Sequence, residues 1–467
     1  MRKNIKYIKY RNYKIASYFL MVLLMTEISC EKFIETDFPN NQLPTEVVFE
    51  DEQTAEAALA GLYASLWNNS LISGGSDGMG ALMGLYTDDL KYVSTAGANG
   101  LLDLANNQQI ETNTVVNTVW TNAYQQIYAA NSIMEGVTNS KALSAASKER
   151  IRGEALFVRS VLYFYLYQVF GEIAYTETTD YTVNSKLSRM NSEQFLVKLE
   201  SDMSEAVNLL PSSYRNVERI YPNKFTGYVV LAKLKMLLKK WNEAELLCNT
   251  VLQSSQFTFQ SDITKVFQKT GTHVIWQLKP KNNNDATKEA SLYNFVTAPQ
   301  TFALNPDLIN SFSSNDLRMQ NYITAVPFNQ QVNYRSSKYK NLAVNNPNEY
   351  SIILRLDEVN FMLAEILSET GNVQDAVPFV NRSRQRAGLP ALLISMSGSA
   401  FREELEKEKR REFFVEHGMR FFDLKRWGKL GGLITVKPSW KGYHSNWPIP
   451  QKELLINPNL NPQNNGY

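Results

Sequence analysis

Two pairs of alanines, each twelve residues apart, restrict the fold of this chain more than any other feature. Ala232 and Ala244 bracket Lys239-Lys-Trp-Asn-Glu-Ala244, and Ala364 and Ala376 bracket Gly371-Asn-Val-Gln-Asp-Ala376. A small side chain on each of two antiparallel helices lets their backbones approach across a tight turn, which is the tetratricopeptide arrangement. Apolar residues recur at i, i+3 and i+4 around these windows and over most of the chain. The spacing predicts helices over 54–67, 115–137, 148–170, 192–209, 224–240, 242–254, 356–370, 373–387 and 399–416. The fold class is therefore predominantly all-α, a tetratricopeptide-like helical-repeat scaffold with an irregular loop-rich face and a few short strands. Units of this kind bury their faces by stacking on neighbours and usually scaffold binding rather than catalysis.

Two stretches interrupt the helical period. Residues 68–113 are rich in Gly, Ser, Asn and Asp, with Gly74-Gly75, Gly78, Gly80 and Gly97 to Gly100, and read as a long loop with short elements. Residues 255–350 carry β-like runs such as His273-Val-Ile-Trp276-Gln-Leu between polar loops at Asn282 to Asn284 and Asn345 to Asn348. Long stretches without regular structure in a compact domain tend to be functional. The tail from Trp440 is irregular and rich in Pro and Asn.

The first thirty residues form a separate object. Arg2, Lys3, Lys6, Lys9, Arg11 and Lys14 precede an apolar run from Ile15 to Met25, and small or polar residues lead to Cys30. A predominantly apolar run of eleven residues is too short for a hydrocarbon core of about 30 Å, which needs roughly 20, but it matches a secretory h-region. A thiol just after such a run is the acylation site of bacterial lipoproteins, so 1–29 is read as a lipoprotein signal peptide and Cys30 as the lipidated residue. Glu27 replaces the usual Leu three residues before the Cys, a departure from the common cleavage pattern. One acyl chain holds a membrane only marginally, at about 10⁴ M⁻¹; a diacylglyceryl cysteine with a further N-acyl chain anchors stably. The domain is then 30–467, with helices over about 54–67, 115–170, 192–254 and 356–427.

Removing 1–29 leaves 42 Lys and Arg against 45 Asp and Glu, a balance of −3 where the whole chain has +2. A mature chain so near neutral has no electrostatic footprint for nucleic acid. With Cys30 acylated, Cys248 is the one remaining thiol, which rules out an intrachain disulfide. It falls in the stripe Ala244, Leu247, Cys248, Val251, Leu252 and reads as a small core residue.

Catalytic chemistry finds little support. His273, His417 and His444 lie far apart, each without a Cys or His at ligand spacing, and no G-x-S-x-G elbow, H-E-x-x-H or P-loop is present. Asp88-Asp89 is a tempting acidic pair, but a glycosidase needs two carboxyls about 5–9.5 Å apart on opposite sides of a sugar ring, and adjacent residues seldom face one point. No catalytic residue and no metal ligand is assigned, and no cofactor is expected. A structural calcium held by such loop carboxylates is the one exception considered. The run 408–427 alternates charges and aromatics. Glu408/Arg411 and Glu412/Glu416 share helical faces, Gly418 permits a sharp break, and Arg420, Asp423 and Arg426 are placed to pair with one another or with Glu416. This is read as a structural ion-pair network rather than an active site.

Several segments together resemble the SusD/RagB family of outer-membrane nutrient-binding lipoproteins. They are Leu354-Arg-Leu-Asp-Glu-Val-Asn-Phe-Met-Leu-Ala-Glu365, Gly371, Asn381-Arg-Ser-Arg-Gln-Arg-Ala-Gly-Leu-Pro390 and Glu408-Lys-Arg-Arg-Glu-Phe-Phe-Val-Glu-His-Gly-Met-Arg-Phe-Phe-Asp-Leu-Lys-Arg-Trp-Gly428. The ending Trp447-Pro-Ile-Pro450, Glu453, Asn457-Pro458 and Gln463-Asn464-Asn465-Gly466-Tyr467 fits as well. So do the central Ala155-Leu-Phe-Val-Arg-Ser-Val-Leu-Tyr-Phe-Tyr-Leu with Phe170-Gly171, and Cys30 followed by Phe33-Ile34-Glu35.

The resemblance implies one domain with four tetratricopeptide-like units on one side and variable loops and short strands on the other. It implies a lipid-anchored, cell-surface protein of the outer membrane that performs no chemistry. Such a protein binds an oligosaccharide, or in some relatives a peptide, and passes it to a SusC-like TonB-dependent transporter. Ligand contacts are expected on the loop-rich face, over about 68–113 and 270–345. A pyranose presents C–H groups on a flat face and hydroxyls at its edge, so it asks for exposed aromatics and a few polar partners. Tyr86, Asp88, Tyr92, Tyr293, Phe295 and Arg335 are the candidates; Trp67, Trp120, Trp276 and Trp427 lie on regular elements and are assigned to the core. The rival readings are a surface lipoprotein glycoside hydrolase and a protein-docking repeat adaptor without a glycan site.

Overall fold

The computed structural model describes residues 48–94, 100–342 and 346–467, so the signal over 1–29 and Cys30 lie outside the described residues. Several helices begin where a side chain supplies a capping oxygen. Asp51 accepts from the backbone N–H groups of Gln53 and Thr54 at 2.8 and 3.1 Å to open α1 (Glu52–Asn69). The all-apolar α2 (Met79–Tyr86) follows. Asn113 caps α3 (Thr114–Asn139), Ser144 caps α4 (Ala145–Phe170) and Asn191 caps α5 (Ser192–Leu209). Asn223 and Thr226 form a reciprocal capping box at α6 (Lys224–Leu237), which turns over three residues into α7 (Trp241–Leu252). After the irregular segment come α8 (Leu356–Glu369), α9 (Val373–Arg386), α10 (Gly398–Phe413), capped by Ser397, and α11 (Met419–Arg426).

Each long helix packs on its predecessor: α1 on α3, then α4, α5, α6, α7, α8 and α9 in turn, with α10 against α8 and α9. Ala232, Ala244, Ala364 and Ala376 are all fully buried, as the twelve-residue windows require. The stack passes from α7 to α8 without a break, although 253–355 intervene in sequence. That excursion carries most of the strands. β1 (Leu90–Tyr92) pairs antiparallel with β3 (Phe302–Leu304), β2 (Val274–Leu278) with β6 (Ser351–Arg355), and β4 (Ile323–Phe328) with β5 (Gln331–Ser336). β6 runs directly into α8, so the loop side and the helical stack share a covalent joint at Arg355.

The structure departs from the sequence reading at α2. The sequence of 68–113 reads as a long loop with short elements, without placing a helix in it, yet Met79–Tyr86 is helical and every residue of it is buried. A helix enclosed on all sides has no polar face and therefore no period to detect. Its glycines serve contact rather than flexibility: a Cβ at Gly80 would stand 2.5 Å from the carbonyl oxygen of Val415. Among the described residues no helix is long and apolar enough to cross a membrane. Cys248 is buried, as expected.

Candidate ligand-binding site

The loop side is held in place by charge. Acidic residues of α10 and the segment after it receive guanidinium and ammonium groups from the excursion. Glu412 accepts from Arg386 Nη2 at 2.7 Å, Arg355 Nη1 at 2.9 Å and the Ser383 hydroxyl at 2.9 Å. Arg318, just before β4, is fully buried and bonds Asp316 at 2.7 Å and Glu408 at 3.0 Å. Lys338, just after β5, donates to the Glu412 and Phe414 carbonyls at 2.8 and 2.9 Å and to Glu416 at 2.6 Å. Burial opposes ionisation of Glu412, yet Arg386, Arg355 and Arg318 hold its carboxyl well below the usual carboxylate range. Near Gly418, Arg426 pairs with Asp423 and with Glu365, both at 2.7 Å. The ion network read from 408–427 is therefore present, though most partners of Glu408, Glu412 and Glu416 come from elsewhere in the chain. The β4–β5 hairpin stands between two of these anchors, Arg318 and Lys338.

Three of the six candidate residues need individual account because burial decides their role. Tyr86 is fully buried on α2; its hydroxyl donates to the His444 carbonyl at 3.1 Å and accepts from Gln109 Nε2 at 2.7 Å. Its ring meets Phe421, Trp440 and Trp447 edge-on, with no surface left for a solute. Tyr293 is likewise buried. Asp88 is buried, and its carboxylate receives Arg420 Nε and Nη2 at 3.1 Å each. Burial opposes its charge, but Arg410 and Arg420 hold its carboxyl below the usual range. Its neighbour Asp89 pairs with Arg410 at 3.2 Å, so both carboxylates anchor β1 to α10 and α11. These three assignments as ligand contacts are corrected: all three lie in stretches without a helical period, and their side chains fold inward. Trp67 and Trp427, assigned to the core, are half-buried, whereas Trp120 and Trp276 are core.

Tyr92, Phe295 and Arg335 remain half-buried at the surface. Tyr92 on β1 stands opposite Phe302 on β3, and β3 lies beside β5, which carries Tyr334 and Arg335. Arg335 Nη1 donates to Asn294 Oδ1, the residue before Phe295, and Asn294 Nδ2 donates to the Tyr339 carbonyl at 2.9 Å. Sequence reasoning missed Asn294; it lies in aperiodic sequence, and only the fold brings it to Arg335. Among the described residues no carboxylate pairs with Arg335, and its Nε is buried without a hydrogen-bond partner. Exposed Phe328 and Val332 extend the apolar area along the hairpin, beside its Asn329-Gln330 turn. The patch thus offers aromatic surface, one amide and one guanidinium without an anion. It has stacking and hydrogen-bonding groups and no acid–base pair.

The helix that presents Asn294 rests on a buried acid. Glu289, on Lys288–Tyr293, accepts from the Ser351 hydroxyl at 2.7 Å and packs against the backbone at Gly74. Burial, opposed in part by that hydroxyl, pushes its carboxyl up to about 7.

With fold and patch described, comparisons place the chain among known proteins. Residues 39–236 match a family model described as starch-binding and associating with the outer membrane, and residues 320–446 match the SusD family model. A SusD-like protein of Formosa agariphila is 25% identical, over 95% of this chain and 98% of its own. The fold is similar to that of a SusD superfamily protein from Bacteroides vulgatus, with a TM-score of 0.77, 21% identity, and 89% and 99% of the two chains covered. It is also similar to surface glycan-binding protein A from Bacteroides thetaiotaomicron, solved in complex with laminarihexaose (TM-score 0.73, 17% identity, 88% and 99% covered). Matching family models over both ends of the domain, a full-length relative and a shared helical architecture converge: the chain belongs to the SusD/RagB family.

Proposed function

We propose that this protein is a surface lipoprotein that binds an oligosaccharide and delivers it to a SusC-like TonB-dependent outer-membrane transporter, without transforming it. The observation that carries the reading is the loop-side surface at Arg335: among the described residues its guanidinium meets the Asn294 amide and no anion, half-buried Phe295 follows Asn294, and half-buried Tyr92 lies on β1, the pairing partner of β3. Half-buried rings suit the C–H face of a pyranose, and the Asn294 amide and Arg335 guanidinium suit its hydroxyl edge. Names of structural relatives agree: one is a laminarin-binding SusD-like protein. The basic stretch, apolar run and Cys30 at the N-terminus support a lipid anchor. A shallow site of this kind supports affinities of about micromolar or weaker.

The test is calorimetry and affinity electrophoresis against a panel containing laminarihexaose, maltohexaose, cellohexaose and xylohexaose, with product analysis by chromatography. One glycan class should bind and emerge uncleaved, and Tyr92→Ala/Phe295→Ala should weaken binding at least about tenfold. Cleavage of the glycan, or unchanged affinity in the double variant, refutes the reading. Delivery is tested separately by co-purification; a chain recovered without any TonB-dependent barrel from gently solubilised outer membranes argues against that part.

A further inference from the structure

A cavity of about 460 Å³ opens among α7, α8, α10 and α11, and it shares no residue with the loop-side patch. Its volume lies in the range of roughly 300–1,000 Å³ typical of small-molecule sites. Two indoles line it: Trp241, the first residue of α7, and Trp427, just after α11, both half-buried. Trp427 is fixed in orientation, since its N–H donates to Glu365 Oε1 at 2.9 Å. Ser368, in the last turn of α8, also lines the cavity; it is buried to 4% exposure and its hydroxyl has no hydrogen-bond partner. A buried polar atom left unpaired is rare in a folded protein and points to a ligand or water that completes it.

The rim decides the chemical class. Lys239, Glu369 and Arg402 line the opening, are exposed, and form no ion pair among the described residues. Groups of both signs therefore face the space, which selects against a strongly anionic or cationic occupant. Flat aromatic surface with hydrogen-bonding groups of both kinds around it is what a neutral sugar ring requires.

We propose that this cavity is a second carbohydrate subsite, which holds a neutral pyranose ring against Trp241 and Trp427 with Ser368, Glu369 and Arg402 as hydrogen-bonding partners. The inference rests on the reading of the protein as a glycan binder, but on different residues. It places one contact on the loop side and another on the helical stack, so that a polysaccharide chain is held at two points.

The two sites separate by variants. Wild type, Tyr92→Ala/Phe295→Ala, Trp241→Ala and Arg402→Ala are titrated calorimetrically with the four hexasaccharides named above, and saturation-transfer NMR follows each sugar. Arg402 is exposed and unpaired, so its variant folds normally even if loss of Trp241 disturbs the start of α7. Circular dichroism melts check both. In the loop-side double variant a weaker binding event persists, and adding Trp241→Ala or Arg402→Ala to it lowers that event by at least about tenfold or fivefold. Residual binding indifferent to both changes overturns the subsite, as does complete loss of binding in the loop-side double variant alone; in either case loop-side capture stands. Binding that depends on Trp241 and not on Tyr92 and Phe295 supports the subsite and overturns the loop-side assignment. No sugar bound by the wild type overturns both.

Discussion

Glu289 provides a quantitative test of how the loop side is built. Its carboxyl is buried, has one hydroxyl donor, and is pushed up to about 7, while in the unfolded chain it titrates near 4.5. The folded state therefore binds more protons than the unfolded state between these values, and stability falls as pH rises through that window. At about 1.4 kcal/mol for each pH unit, the full effect is about 3 kcal/mol, absent below 4.5 and complete above 7. Glu289→Gln keeps an acceptor for the Ser351 hydroxyl and removes the ionisation. Any misfit of the new amide near Gly74 is independent of pH, so it cancels when the variant is compared with wild type at two pH values. Urea unfolding at pH 5 and pH 8 should show the variant gaining about 2.5 kcal/mol relative to wild type between the two. The histidines and the Arg-paired carboxylates titrate equally in both proteins and drop out of the difference. Parallel stability profiles for variant and wild type would show that Glu289 is not the isolated buried acid described here. Because the short helix bearing Glu289 also presents Asn294 and Phe295, ligand affinity should weaken over the same pH interval in wild type and not in the variant.

Three further outcomes follow from named contacts. Glu412→Ala leaves Arg355, Arg386 and Arg318 buried without a shared carboxylate, and urea midpoints should report a loss of about 3–5 kcal/mol, while a loss below 1 would mean the network relaxes freely. Asn223→Ala removes the capping box of α6 and the bond from Asn223 Nδ2 to the Ser212 carbonyl at 3.2 Å, which should lower stability by about 1–2 kcal/mol in thermal melts. Cys30→Ala should move the protein from the detergent phase to the aqueous phase in Triton X-114 partition and abolish palmitate labelling; retention in the membrane fraction would contradict anchoring through that thiol.

The helices were legible because their information is local. Stripes that repeat every three or four residues locate a helix without reference to the rest of the chain; the expected 192–209 coincides with the observed span, whereas the expected 224–240 runs three residues past Leu237. The twelve-residue alanine windows also carried contact information, since small residues at matched heights in a hairpin imply close helices. α2 was not legible, because complete burial erases the contrast that periodicity measures. The candidate site was legible only in part, for a related reason. Tyr86 and Tyr92 lie six residues apart in one Gly-rich stretch of similar composition, yet one is core and the other surface. What separates them is packing against Phe421, Trp440 and Trp447 at the far end of the chain, which no local pattern encodes.

The distribution of charge explains how an irregular face acquires a fixed shape. Loops lack the backbone ladders that hold helices and sheets, so the excursion over 253–355 needs other tethers. Three cations at its structural joints supply them: Arg318 before β4, Lys338 after β5, and Arg355 where β6 becomes α8. All converge on three neighbouring carboxylates, Glu408 and Glu412 one turn apart on α10 and Glu416 in the turn that follows it. Replacing such buried pairs with apolar residues often leaves stability unchanged or improved, so stability alone does not account for them. Directionality does: a guanidinium that bonds two carboxylates fixes angle as well as distance, whereas apolar contact fixes neither. The hairpin bearing Arg335 is thereby held in position at both of its ends.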